Sequence, residues 1–466
     1  MSSNWSVKKL GDLVTFLSGG TPSKSNKDYW NGEIPWISAS SMQSTRYHDS
    51  DLRVTSLGST NGTRLVPAET VLLLVRGGAL HNKIPVGITT REVTFNQDVK
   101  ALVPKSEDIT PYYLLAWLIS SRELLLGKVE NTGIGAGKLD TKILQDLDVP
   151  VPPKAELLRL ELFSKALDDK IILNQNINHT LEQMAQALFK SWFVDFEPVK
   201  AKMAVLEAGG SQEDATLAAM AAISGKDAYA LAVFEREHPE QYAELKTTAE
   251  LFPSAMQDSE LGEIPEGWSI KPLDGIATYQ NGLALQKFRP ENENDFLPVV
   301  KIAQLKKGFS DGEEKASPNI KPECIIDNGD VVFSWSGSLM VDIWCGGKAA
   351  LNQHLFKVSS TKYPKWLYYK YTAHHLIEFQ RIAEAKAVTM GHIKREHLSQ
   401  AKCLMPSSET VHAFTLFFEP VLNKVISNRL ETRKLENIRD TLLPKLLSGE
   451  ITLPEAEQAV SEVENV

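Results

Sequence analysis

Apolar side chains recur every seven residues through 154–193. Leu160, Leu167, Leu181 and Leu188 fall on one line, and Asn174 fills its gap. A second line holds Phe163, Lys170, Ile177 and Met184. This spacing predicts a helix of about forty residues that begins after Pro152-Pro153. The pattern returns after Pro406, with Phe414, Val421, Asn428, Leu435 and Leu442 on one line and Phe417, Lys424, Glu431 and Ile438 on the other. Gly449 after LLPKLLS predicts its C-cap, and Pro420 should kink it or delay its regular part by a turn. Each helix thus carries one polar pair near its middle, Lys170 with Asn174 in KIILN and Lys424 with Asn428 in KVISN. Antiparallel packing would bring Asn174 and Asn428 to a common pseudo-dyad. A slipped register would then leave each buried amide unpaired, at roughly 1–3 kcal/mol.

Upstream of each helix the pattern changes to short apolar runs bounded by Gly, Pro, Asn and Asp. GEIPWISAS, TVLLLVRGG and VGITT in the first half, and FLPVVKIAQL, DVVFSWSGS and HLFKVSS in the second, predict strands. Shorter helices are expected at PYYLLAWLIS and PKWLYYKYTAHHLIEF. The halves are copies. WSVKKLGDLVTFLSGGTPSK (5–24) aligns with WSIKPLDGIATYQNGLALQK (268–287) at an offset of 263, Asn96-Gln97 with Asn352-Gln353 at 256, and Gly137 and Leu144 with Gly391 and Leu398 at 254. Small loop deletions produce such a stepwise fall. The expected class is α+β: two tandem, mixed, mainly-β domains, each followed by a long helix. The boundaries read as 1–150, helix 151–198, an acidic, partly helical connector 199–264, 265–405, helix 406–449, and a loosely ordered acidic tail 450–466.

Charge changes this picture little. The chain is formally −9, but residues 194–264 hold 5 Lys+Arg against 14 Asp+Glu and account for the whole excess. The two domains are neutral to slightly basic, which permits a polyanionic partner. No run approaches 18 apolar residues, and the three cysteines, Cys324, Cys345 and Cys403, have no CxxC spacing. A membrane span, a disulfide framework and a zinc site are therefore not expected, and the cytoplasm is the expected location.

Catalytic signatures fail in turn. NTGIGAGKLD has Thr132 where a phosphate loop needs glycine, and Leu139 follows Lys138. Gly133, Gly135 and Gly137 lack the strand–helix context of a dinucleotide site, and His392 and His397 lack an HExxH frame. Expected instead are loops that hold a polymer backbone. SGGTPSKSNK offers Ser18, Gly19, Gly20, Thr21, Ser23, Lys24 and Lys27, with free backbone N–H groups; its counterpart offers Asn281 and Lys287. LVRGGALHNK, with Arg76 and Lys83, matches FSWSGSLMVD, with Ser336 and Ser338; GIGAGKLDTK, with Lys138, matches MGHIKREHL, with Lys394 and Arg395. Small residues, amides and single cations suit phosphate contacts and base-edge reading. Unlike loops at matching places suit unlike half-sites. A tandem-domain scaffold that binds proteins instead of DNA is the competing reading.

Several motifs, in order, resemble the specificity subunit of type I restriction–modification enzymes. They are W-x-x-x-x-L-G-D with its SGGTPSK turn, GEIPWIS, ALFKSWFVDFEPV, SELGEIPEGW and LLPKLLSGEI. The resemblance implies two target-recognition domains and two helices packed as an antiparallel coiled-coil spacer with pseudo-two-fold symmetry. It implies a non-catalytic subunit that reads a bipartite, asymmetric double-stranded DNA target in host defence. It also implies two methyltransferase subunits as partners and motor–nuclease subunits in the larger assembly. S-adenosylmethionine, ATP and Mg2+ would sit on those partners, and no cofactor or metal on this chain. Trp192, Phe193 and Phe196 are candidate anchors for a partner, with a core role for Trp192 equally open. The long acidic connector and Pro420 depart from the pattern.

Overall fold

The computed structural model describes residues 5–132, 135–292, 294–310, 312–385 and 391–464, with side chains through 458. Gly133 of the glycine loop and Met390 of its counterpart lie outside the described residues. The chain forms two compact units, Met1–Leu173 with Glu431–Val466, and Asn174–Leu430.

Each unit builds the same pairing scheme. Strand Ser6–Lys9 lies antiparallel to Asp148–Val151 with Ser6 opposite Val151, and Ser269–Pro272 lies antiparallel to Lys402–Met405 with Ser269 opposite Met405. These partners differ by the 263 and 254 of the sequence repeat. In the first unit a five-stranded sheet runs in the order Val14–Ser18, Val99–Pro104, Val71–Leu74, Val86–Thr89, Arg46–Tyr47. The second unit repeats its first four members as Thr278–Asn281, Leu355–Ser359, Val331–Ser334 and Met340–Ile343. Parallel pairs also match: Trp36 and Ile37 face Thr94 and Phe95, and Val299 and Val300 face Ala350 and Leu351. The run FLPVVKIAQL divides into strand Leu297–Val300 and helix Ile302–Lys307, because Gln304 folds back to accept the Lys301 N–H at 3.3 Å.

The shorter helices form at Pro111–Ser120 and Lys365–Ala385, the first capped by the Thr110 hydroxyl, which accepts the Tyr113 N–H at 3.1 Å. His375 in the second of these donates Nε2–H to the Lys402 carbonyl at 3.0 Å. Burial first, then neighbouring His374, push its pKa down to about 4 from 6.5. A base depressed on folding binds fewer protons folded than unfolded. Its contribution is complete above pH 6.5 and disappears as pH falls toward 4. His375→Gln should therefore shrink the acid destabilisation of the second unit by about 2 kcal/mol, compared by urea midpoints at pH 7 and 4.5.

The long helices span Lys154–Phe193 and Ser408–Ser448. The second continues through Pro420, which is exposed, so the predicted interruption does not occur there. Its end is the predicted one: Gly449 sits at φ 72°, and the Glu450 N–H reaches the Lys445 carbonyl at 2.8 Å.

One seam follows the heptads, and the other lies one residue later, except that Ile438 is buried where predicted. Leu160, Leu167 and Asn174 are buried, but their companions are Leu157, Ser164, Ile171, Asn178 and Ala185, while Met184 is exposed. On the second helix Phe418 and Val425 replace Phe417 and Lys424 as the buried members. Lys170 and Lys424 accordingly leave the seam. Lys424 is exposed, and Lys170 pairs at the flank with Glu431 at 3.2 Å.

The shift also changes the amide partner. Asn428 Nδ2 donates to Asn178 Oδ1 at 2.9 Å, and Asn178 Nδ2 donates to the Val425 carbonyl at 3.1 Å. Asn178, one turn beyond Asn174, therefore receives Asn428; Asn174 is itself buried. Within each unit, contacts run in opposite senses along the two helices. Asp168 meets Arg439 and Lys170 meets Glu431 in the first unit, and Asn178 meets Asn428 while Trp192 meets Phe414 in the second. Asn428→Ala strands Asn178 Oδ1 and should cost about 1–3 kcal/mol. Asn178→Leu with Asn428→Leu should cost less than that single change, as read by denaturant midpoints.

Two further expectations are corrected. The tail forms helix Leu453–Glu464, started by Glu455, which accepts the Thr452 N–H at 2.6 Å, and it places Ala456 in the first unit's core with Leu443 and Leu446. For Trp192 the core alternative left open by the sequence holds, and Phe193 and Phe196 join it in the second unit's core, where Trp192 packs on Phe252, Phe414, Phe417 and Phe418. Enclosed rings offer no surface to a partner. The connector contains helices Glu197–Glu207, Gln212–Ser224, Ala228–Glu237 and Pro239–Glu250, with a small core of Ala219, Met220, Leu231, Leu245 and Ala249.

Candidate nucleic-acid interface

In both units the candidate loops are brought together by one backbone device. The chain leaves strand Val14–Ser18 through Gly19 and Gly20, and the Gly20 N–H donates to the Phe95 carbonyl at 2.9 Å. A Cβ on Gly19 would stand 2.2 Å from that oxygen and 2.5 Å from the Asn96 oxygen. In the second unit the Leu283 N–H donates to Leu351 at 2.9 Å, and a Cβ on Gly282 would stand 2.2 Å from Leu351 O and 2.4 Å from Asn352 O. The repeated glycine thus exists for close approach of two backbones. Asn96 Oδ1 accepts the Asp98 N–H at 3.1 Å, and Asn352 Oδ1 accepts the His354 N–H at 3.2 Å. In each copy the asparagine side chain is used to hold a turn, and the glutamine after it, Gln97 or Gln353, is exposed.

Beside that turn two further loops pair. In the first unit Arg76 and Gly77 lie opposite Lys138 and Gly137, Val75 N–H reaches Asp98 O at 2.8 Å, and His81 Nε2 lies 2.9 Å from Gly135 O. In the second, Ser336 bridges to His392, Gly337 N–H reaches Gly391 O at 2.8 Å, and Ile393 N–H reaches Trp335 O at 3.0 Å. The loop correspondences read from sequence are therefore neighbours in space within each unit.

The individual residues divide sharply. Arg76, Lys83, Lys24, Lys27, Ser23, Lys287 and Ser338 are exposed. Thr21 donates to Gln97 Oε1 at 2.7 Å and Ser18 accepts from Lys100 at 2.5 Å, so both orient neighbours. The Gly20 N–H is already bonded, contrary to the expectation of free donors. Lys138 is tied to Asp140 at 2.9 Å, and that hydrogen bond holds the Asp140 carboxyl below its usual range. Ser336 is buried, its hydroxyl 3.0 Å from His354 Nδ1. The Asn281 side-chain oxygen is buried. Arg395 donates to the Tyr279 carbonyl at 3.2 Å and covers the Phe356 ring, and Lys394 lies 3.6 Å from Glu396. Lys24 and Lys27 sit on the far part of their turn, which Asn26 and Trp30 close through bonds to Asp28 N and Ser23 O.

Sequence reasoning missed Gln97, His81, Gln353, His354 and His392. The signal was present in the Asn-Gln repeat, since an asparagine that fixes a turn presents the side chain that follows it. The first loop cluster therefore offers an arginine, lysines and an amide. The second offers an amide and two imidazoles around Trp335, with ring centres 6.0 and 6.3 Å from the indole. Fixed amides, imidazoles and guanidinium forks can read base edges, and lysines can hold phosphates. Among the described residues no group of three or more His, Cys, Asp or Glu side chains could hold a metal ion, and no single helix is long and apolar enough to cross a membrane.

Comparison with known proteins gives one consistent result. The family model described as the type I restriction modification DNA specificity domain matches residues 2–183 and 265–438. The HindI specificity subunit of Haemophilus influenzae is 30% identical over 75% of this chain and 79% of its own length. The MjaIX specificity subunit of Methanocaldococcus jannaschii is 25% identical over 97% and 94%. The crystal structure of a type I system S subunit from M. genitalium aligns over 95% of this chain and 96% of that one, with 11% identity and a TM-score of 0.47.

Proposed function

Because the chain belongs to the type I restriction modification DNA specificity family, we propose that it is the DNA-reading, non-catalytic subunit of a cytoplasmic type I restriction–modification complex. Each unit presents its paired loops to one half of a bipartite, asymmetric target in double-stranded DNA. The observation that carries this reading is the duplicated loop scaffold with unlike side chains, exposed Arg76, Lys83 and Gln97 in one copy and exposed Gln353 and His392 with half-buried His354 in the other. The long helices act as the spacer, packed as an antiparallel coiled coil with pseudo-two-fold symmetry; the opposed contacts within each unit support that arrangement. Two methyltransferase subunits, and through them motor–nuclease subunits, supply the chemistry. Those subunits hold S-adenosylmethionine, ATP and Mg2+, and the adenine to be modified leaves the stack there. Since Trp192, Phe193 and Phe196 are enclosed, docking uses other surfaces.

The test is selection from a random duplex pool with the full chain purified beside its methyltransferase subunits. Enrichment of two short motifs separated by a fixed unspecified gap is expected. Enrichment of no sequence would favour a protein scaffold. Replacing residues 1–150 by another recognition module should change one motif and leave the other intact.

A further inference from the structure

An apolar helix seam is a poor device for fixing the angle of the module beside it, since apolar contact has no direction. Two charge bridges, one buried and one half-buried, supply that direction. In the first unit, Arg46 lies on edge strand Arg46–Tyr47 and forks onto the first long helix, with one arm on Asp168 and the other on Asp169 at 3.0 Å. The Thr45 hydroxyl donates to the same Asp168 carboxylate, with O–O separations of 2.8 and 2.9 Å, and Arg439 of the second long helix stands 3.8 Å from it. The Asp168 and Arg439 side chains are 5% and 7% exposed. The guanidinium of Arg46 also lies over the Tyr112 ring at 5.4 Å.

In the second unit the polarity is reversed. The edge strand Met340–Ile343 presents Asp342, and the second long helix supplies the guanidinium. Arg429 donates to Asp342 at 2.7 Å, to the Ile343 carbonyl at 3.0 Å, and to Glu182 of the first long helix at 2.8 Å. Asp342 and Glu182 keep that guanidinium charged against its burial. Each bridge therefore joins three elements, a module edge strand and both helices. The Arg429 fork spans all three, whereas the Arg46 fork holds the first helix and Arg439 reaches the same carboxylate as an ion pair. A planar fork accepts little rotation. A buried ion pair is weak support for stability, because desolvation offsets its attraction. Register and alignment are its better-attested roles.

We propose that Arg46–Asp168–Arg439 and Asp342–Arg429–Glu182 are alignment keys that set the angle of each recognition module on its helix pair, and with it the gap permitted between half-sites. Reversed polarity makes the keys non-interchangeable: Arg46 presented to Arg429, or Asp342 to Asp168, meets like charge. The gap part of this proposal rests on the DNA-reading function above, whereas the alignment part stands without it.

The experiment uses the full chain with its methyltransferase subunits and has two readouts. Spin labels at Ser25→Cys and Leu162→Cys, both exposed in the first unit, report the module-to-helix distance; the native cysteines are buried. Asp168→Asn and Arg46→Gln should each broaden that distance distribution about twofold, and Asp168→Glu should restore most of its sharpness. Arg46→Lys, which keeps the charge and loses the fork, should also broaden it, and serves where a neutral variant fails to fold. In pool selection the same variants should keep both motifs, while discrimination between neighbouring gaps falls about tenfold. Asp342→Asn should do likewise from the second unit. A merely structural role would weaken binding at every gap alike. An unchanged distance distribution in folded Arg46→Lys and Asp168→Asn overturns the keys. If the unsubstituted complex enriches no bipartite sequence, the DNA reading fails while the label result still decides the alignment.

Discussion

Trp192→Ala should destabilise the second unit by about 3–5 kcal/mol. The indole is fully enclosed, with Phe414 and Phe252 ring centres 4.6 and 5.4 Å away and two further phenyl rings close by. Rings drawn from the helix Ser408–Ser448 and from the end of the connector cannot all collapse into the vacated space, so most of the cavity persists. A urea titration followed by the fluorescence of the remaining tryptophans reads the loss. Trp192→Phe should recover more than half of it. A loss under about 1 kcal/mol would contradict the core position and return Trp192 to the surface role considered from sequence.

That residue shows where legibility ended. ALFKSWF marks an aromatic cluster, but a stripe of aromatics looks the same in a sequence whether another subunit or its own chain covers it. Here Phe252 and Phe414, both distant in sequence, cover it, and no local pattern announces them. The long helices, their Gly449 end and the tandem plan were legible because periodicity and repetition are local or alignable signals. The second seam was misphased for a physical reason. Phe163, Ile177 and Met184 form the more apolar line in the sequence, whereas the line one residue later buries Ser164, Asn178 and Ala185 with Leu157 and Ile171, and polar or small seam residues give no hydrophobic signal. The candidate loops were legible as pairs through their shared offsets. Single residues were not: Ser336, Asn281, Lys138 and Arg395 have contacts fixed by backbone and side chains far along the chain.

Gly19→Ala should silence one half of the DNA target and Gly282→Ala the other. The added methyl meets two carbonyl oxygens at 2.2 and 2.5 Å in the first case and at 2.2 and 2.4 Å in the second. Backbone cannot swing aside as a long side chain does. The turn must detach from its asparagine-held neighbour, at about 3 kcal/mol, carrying Gln97 or Gln353 out of place. Pool selection should then return one intact motif and one degenerate motif, exchanged between the two variants. Equal weakening of both halves would mean that the loops do not read independently.

The docking of helix Leu453–Glu464 has a consequence for biosynthesis. The hydrophobic interior that encloses Leu114, Leu157 and Leu160 also needs Leu443, Leu446 and Ala456, which leave the ribosome only after residues 174–430. A nascent amino-terminal portion therefore waits with an open flank until residues 443–456 have been made. Chaperone demand and the damage done by late frameshifts should both fall on the portion of the chain made first.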